Sequence, residues 1–395
     1  MPRTPSAPVA PALIRWARQS FGLSLEEAAK KQRITTDRLA EWEAGEDAPT
    51  VAQLRAAARV YRRPLAVFFL NEPPDDFEAI KDFRRARLAT KESWSPPLRL
   101  AIRRAHEQQD AAADLRHLLG EESRERVSVE DGSRSPKAVA AGARRILGVE
   151  LDTQFSWRTE YQALNGWISA LENEAHTLVL QAGEISTGEM RGFSIANGTN
   201  PVIVLNATDA VRGRIFTAIH EFAHILLNDA GLCDLHDRNG PSPDDQTELL
   251  CNEIAAAVLM PAEALLSEPT LARDEGEQRW TNAEIARLAD KYSVSREALV
   301  RRLVSVRRAP WELYWSKRFE FERAYRSRTL DKKTFGVSYQ RRRVRDYGRS
   351  YVRLVLDAYH EGRINTLDAA DYLGGVNVRH LPKIELEAYR NAAAS

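Results

Sequence analysis

Ile219-His220-Glu221-Phe222-Ala223-His224-Ile225 decides how this chain is read. Residues four apart on a helix lie one above the other on the same face. His220 and His224 can therefore grip one metal ion. Glu221, one position on, reaches the same place from the side. A hydrolytic zinc site takes three protein ligands and leaves a fourth position for water. A carboxylate beside such a water serves as general base, which is the chemical content of the H-E-x-x-H spacing. Ile215, Phe216, Ile219, Phe222, Ile225 and Leu226 make the segment read as a buried helix. Two histidines and a glutamate are costly inside such a helix without a partner. The alternative is an exposed helix with incidental histidines.

The third ligand is sought on a later acidic helix running from Glu248 to Pro261, whose proline marks its end. Glu248 and Asn252 share one face at i,i+4 spacing, and Glu253 lies on another. Spacing alone leaves Glu248 open between a metal ligand and a solvated surface charge. Ala255, Ala256 and Ala257 allow close approach of another helix. Cys251 reads as a small core residue that can also face the site.

The stretch from about Trp157 to Leu303 resembles the ImmA/IrrE zinc-metallopeptidase family. The matching pieces are Met190-Arg191-Gly192-Phe193-Ser194 and Pro201-Val202-Ile203-Val204-Leu205-Asn206, then Phe216 through His224, then Glu248 through Pro261. The resemblance implies that His220, His224 and Glu248 hold one Zn2+ and that Glu221 is the catalytic base. It also implies a protein substrate, such as a helix-turn-helix repressor.

Around this segment the chain is ordinary in bulk. It has 395 residues, 43% hydrophobic and 29% charged, with a formal net charge of +1. That describes a globular protein with real cores and no global demand for an acidic partner. Two cysteines, Cys233 and Cys251, are too few for a disulfide framework. The Pro/Ala-rich start lacks a signal-peptide layout, and no apolar run reaches membrane-spanning length. A cytoplasmic setting without membrane contact is expected.

From Ala12 to Leu70 the pattern predicts short helices. Gly22 ends the first, Ser24 with Glu27 caps the second, Thr35 or Thr36 the third and Thr50 the fourth. The run through Leu23-Ser24, Trp42-Glu43-Ala44-Gly45 and Pro49-Thr50 looks like the Xre/Cro repressor class. Thr36 and Arg38 are the candidate DNA contacts, and Trp42 is read as a packing residue. The third helix carries more acid than base, and the place where this class often has a glutamine is Leu25. A protein-docking bundle of the same fold is the alternative.

Asp82-Phe83-Arg84-Arg85 is familiar from proteins that join these two modules. Strands are expected at Thr177–Gln181, Met190–Ile195 and Pro201–Asn206, with the second or third offering an unpaired edge to an extended substrate. His236 and Asp237 fall in a polar loop that can line the cleft. Thr281–Tyr292 and Ser295–Val306 form a second helix pair with several arginines. Beyond Trp311 the chain is aromatic and, over Lys332 to Arg349, strongly basic.

The expected fold is α+β: an all-α helix-turn-helix bundle over 1–72, a helical linker region over 73–150, a central zincin-like domain over 151–308 with a small sheet and the H-E-x-x-H helix, and a helical C-terminal region over 309–395. The expected function is a zinc-dependent regulatory endopeptidase that cleaves a partner protein and is coupled to transcriptional or stress control. A DNA-binding transcription regulator or antitoxin with a structural or sensory metal site is the alternative.

Overall fold

The computed structural model describes residues 7–74, 94–121, 135–197, 200–227, 232–233, 243–271, 280–329 and 337–390. The expected features at Asp82-Phe83-Arg84-Arg85, His236, Asp237 and Lys332 lie outside them. The chain divides into two compact units, Met1–Arg104 and Ala105–Ser395.

The first unit is a helical bundle: α1 Pro11–Phe21, α2 Leu25–Gln32, α3 Thr36–Ala44 and α4 Val51–Val60, then a 3-10 turn Leu65–Phe69. Local chemistry sets its boundaries. Ser24 with Glu27 and Thr50 with Gln53 form reciprocal capping boxes. Thr35, not Thr36, caps α3 by accepting from the Arg38 N–H. Gly22 and Gly45 close α1 and α3 in the left-handed region that favours glycine. Trp16, Leu39, Trp42, Leu54, Tyr61 and Phe68 fill the core. Glu43, itself buried, accepts both nitrogens of the Arg18 fork at 2.7 and 2.8 Å.

α5 Pro96–Leu118 begins in the first unit and runs into the second. There it is followed by α6 Pro136–Leu147, α7 Leu151–Ser156 and α8 Glu160–Asn173, then β1 Leu178–Ala182, β2 Gly192–Ile195 and β3 Val202–Asn206. α9 Val211–Leu226, β4 Leu232–Cys233, α10 Pro243–Leu259 and α11 Ala262–Leu266 come next. α12 Asn282–Lys291, α13 Arg296–Ser305, α14 Trp311–Thr329, α15 Tyr339–Tyr347, α16 Arg349–His360, α17 Thr366–Tyr372 and α18 Leu381–Tyr389 complete the order. The architecture is α+β, with helices predominating. No helix among the described residues is long and apolar enough to cross a membrane.

The sheet order is β1-β3-β2-β4. β1 runs parallel to β3, pairing Leu178 with Val202, and β2 runs antiparallel to β3, pairing Gly192 with Leu205. β3 is therefore interior, which corrects the expectation that it offers a free edge. Among the described residues β2 pairs with β4 at Gly192 and Phe193. Every residue of β1, β2 and β3 is buried. Such strands need cover on both faces, and the neighbouring helices supply it.

α9 packs on β2 and β3, α8 on β1 and α9, and α10 on α9 and α6. The C-terminal helices, set apart in the sequence, pack within the same unit: α15 and α16 lie on β1. Gly348 makes that approach possible. Its φ is 80°, and a Cβ there would stand 2.9 Å from the Val179 carbonyl oxygen.

Candidate metal centre

α9 is buried on every side near its C-terminal half, where Ile215, Ala218, Ile219, Phe222, Ala223 and Ile225 surround the polar residues. Its start is held electrostatically. Asp209 accepts from the Ala210 N–H at 2.8 Å and places a carboxylate at the positive end of the helix. The two histidines emerge toward α10, which approaches closely because Ala255 and its neighbours are small.

The structure brings His220, His224 and Glu248 together, with one ligand atom from each within 4.8 Å of the others. His220 Nε2 stands 3.2 Å from His224 Nε2. The Glu248 carboxylate spans both rings, with Oε2 3.3 Å from His220 Nε2 and Oε1 3.4 Å from His224 Nε2. A donor set can be tested against a metal by these spacings alone. Nitrogen or oxygen ligands about 2.0–2.1 Å from a tetrahedral centre lie about 3.3–3.4 Å apart. The three gaps fit that separation, and two imidazoles with one carboxylate are a hydrolytic zinc donor set.

Electrostatics follow from burial. Burial pushes the Glu248 carboxyl up, but hydrogen bonds from His220 and His224 outweigh it and hold the group well below the usual carboxylate range. Burial also drives the His220 ring below its ordinary value. It opposes charge on His224 as well, yet there the hydrogen bonds to Cys251 and Glu248 prevail and raise the ring. Burial thus favours the neutral, metal-binding form of His220, and the paired rings favour the carboxylate form of Glu248.

Glu221 is fully buried beside this cluster. Facing it is Gly192 at the start of β2, where a Cβ would lie 3.3 Å from Glu221 Oε1 and 2.3 Å from Thr217 Cγ2. Gly192→Ala is accordingly expected to push α9 from β2 and displace Glu221. The expected cost is about 1–3 kcal/mol of stability, together with loss of any activity that depends on Glu221. Urea unfolding read beside activity tests it, and a variant matching wild type in both would refute the packing argument.

Three contributors were absent from the sequence reading of the site or understated by it. Cys251 is buried in the core, and its thiol also hydrogen-bonds His224. Asn252 bonds His220, and the i,i+4 step from Glu248 was its only signal. Gly192 offered none beyond its place in a familiar segment. In the first unit, Arg38 is half exposed, 4.0 Å from Asp47, and lies over the Trp42 ring at 5.8 Å. Thr36 is partly buried at the start of α3.

A histidine pair on a buried helix, a carboxylate from the next helix and a short mixed sheet define a metallohydrolase-type centre. The comparisons agree. Residues 173–304 match the family described as the IrrE N-terminal-like domain, a peptidase family, and residues 14–68 match a helix-turn-helix family. A 97-residue stretch, 24% of this chain, is 41% identical to the radiation response metalloprotease IrrE of Deinococcus deserti. That stretch spans 34% of the relative's own length. No solved structure matches the chain significantly. The chain thus carries an IrrE-like metallopeptidase domain and a helix-turn-helix domain, and such a peptidase domain implies a metal.

Proposed function

We propose that this protein is a zinc-dependent endopeptidase that cleaves a partner protein, with His220, His224 and Glu248 holding the ion and Glu221 acting as base. The observation that carries the reading is the set of three donor separations, 3.2, 3.3 and 3.4 Å, with a buried carboxylate next to it. Zinc, when bound, supplies a Lewis acid that brings the pKa of a coordinated water near neutrality. The chain's own residues do the rest. Glu221 accepts a proton from the attacking water and returns it to the leaving amine. The packed faces of α9, α10 and β2 exclude bulk water around it.

The substrate proposed is a helix-turn-helix repressor or similar partner, on the strength of the family resemblance. The bundle of the first unit supports a second element, a DNA contact through Thr36 and Arg38 on α3 that links cleavage to transcriptional control.

Metal analysis tests the centre. Purified protein is expected to carry about one zinc per chain, and His220→Ala, His224→Ala and Glu248→Ala each to lose most of it. Chelation should also lower thermal stability. A metal at a hundredfold excess over its Kd contributes about 2.7 kcal/mol, which corresponds to about 5–10 °C for a domain of this size. Full zinc content in the Glu248→Ala variant would remove that residue from the ligand set.

A further inference from the structure

We infer that α14 is the surface through which two copies of this chain pair. The helix carries apolar side chains on two opposite faces. On its inner side Tyr314 is buried, and Leu313 and Phe321 are partly buried against the core of the second unit. On its outer side Trp311, Trp315 and Phe319 are 52, 48 and 68% exposed. The spacing i, i+4 and i+8 sets these three in one stripe along the helix. A surface helix needs a single apolar face to pack on its own domain. The outer stripe of α14 is surplus to that need.

The stripe is held in place from beneath. The Trp311 and Trp315 rings stack with centroids 6.4 Å apart, and each meets the buried Tyr314 ring edge-on, at 5.6 and 5.0 Å. Arg318, 3.7 Å from Glu297, lies over the Trp315 ring at 5.6 Å. Rings fixed in advance lose little freedom on association. Tryptophan is also among the side chains that most often carry the energy of an interface.

Shape, charge, symmetry and area select the occupant. A helix ridge is convex, whereas small molecules sit in concave pockets and peptides in grooves or on strand edges. The stretch 311–321 carries Glu312 and Glu320 against Lys317 and Arg318, so it is neutral. A polyanion or an anionic membrane surface requires a basic face, while two neutral faces meet without net repulsion. Trp315 lies midway between two aromatic residues, each four positions away. A two-fold axis beside Trp315 therefore sets ring on ring, with Trp311 of one copy against Phe319 of the other, over about 12 Å of helix. An aromatic side chain buries about 150–250 Å2, so the exposed parts of these three offer about 350 Å2 per copy. A stable pair needs about 800 Å2 per partner. The rings supply nearly half of that as an apolar centre, and Glu312, Ser316 and Lys317 beside them supply a polar rim. The pairing depends on neither the metal centre nor the helix-turn-helix bundle.

The test uses the full-length protein, with mass followed by sedimentation and light scattering across the micromolar range. Wild type is expected at twice the chain mass of 44.6 kDa. Trp315→Glu sets two carboxylates against each other at the axis and is expected to run as a monomer, its dimer weakened at least about thirtyfold. Trp315→Lys alone should behave in the same way. Mixing the two variants should restore a dimer, because opposite charges then meet at the axis, and mixing does not repair a folding defect. Phe319→Ala, a milder change at the most exposed ring, should weaken the dimer by about fivefold to thirtyfold and keeps the test decisive if the charged variants fold poorly. A wild type that stays monomeric throughout the range overturns the inference. So does a dimer that all three variants leave intact, which would place the pairing on another surface. A mixture of the charged variants that remains monomeric overturns the two-fold arrangement.

Discussion

Glu221→Gln is expected to retain zinc and to lose proteolysis by a factor of about 10^2–10^4, the usual contribution of a positioned general base. The amide keeps the shape of the side chain, so the tight approach of β2 at Gly192 is undisturbed. It cannot accept a proton, so water attack loses its base and the leaving amine its acid. The metal ligands are other residues, and their mutual spacings owe nothing to Glu221. Metal content and activity should therefore separate in this variant, whereas His220→Ala removes both. The inactive form also provides its own substrate search. A partner retained by Glu221→Gln and cut by the wild type would identify the target and the bond. Cleavage of that partner by Glu221→Gln at the wild-type rate would end the proposed mechanism.

The parts of this site that were legible in the sequence are those whose geometry is local. His220 and His224 are one helical turn apart, so their convergence follows from helix pitch once the surrounding apolar residues require a helix. The caps of α2 and α4 were legible for the same reason, since a capping box is completed within four residues. Glu248 was different. It stands on another helix, and only the packing of α10 on α9 decides that its carboxylate meets the two rings. Family resemblance supplied that assignment where spacing left it open.

Strand order was hidden by composition. β1, β2 and β3 are buried along their whole length, so no alternation of polar and apolar residues separates a central strand from an edge. The C-terminal region showed amphipathic helices without their partner. Nothing in Gly348 as a letter announces that a helix will be pressed against β1, because the close approach exists only in the assembled fold.

That same packing makes stability depend on pH through one side chain. Glu172, near the end of α8, is buried where Gly348 and the start of α16 press on it, with Gly348 placed so that a Cβ would lie 3.3 Å from Glu172 Oε1. Burial raises the carboxyl to about 7, while hydrogen bonds from Ser350 and the charges of Arg349 and Arg353 pull it the other way without prevailing. In the unfolded chain a glutamate titrates at about 4.3. Between these values the native state holds more protons than the unfolded one, so stability falls as pH rises. The favourable contribution is complete below the unfolded value and is lost as pH passes through about 7.

A tenfold difference in proton affinity between the folded and unfolded chain is worth about 1.4 kcal/mol, which sets an upper limit of about 4 kcal/mol across this window. Arg349 and Arg353 are occupied elsewhere, donating to the Ala388 carbonyl at the end of α18, so they do not close on Glu172 as full ion-pair partners. Glu172→Gln keeps the hydrogen-bonding shape and removes the charge. At pH 8 the variant is expected to unfold at higher urea or temperature than wild type, by about 1–3 kcal/mol. At pH 5 the two should be close, because the wild-type carboxyl is then protonated in the fold. Parallel stability profiles from pH 5 to 8 would show that Glu172 is ionised throughout and that another contact fastens α16 to the sheet. Convergence at low pH, with the wild type falling away above neutrality, would make this buried acid the point at which alkalinity loosens the C-terminal helices from β1.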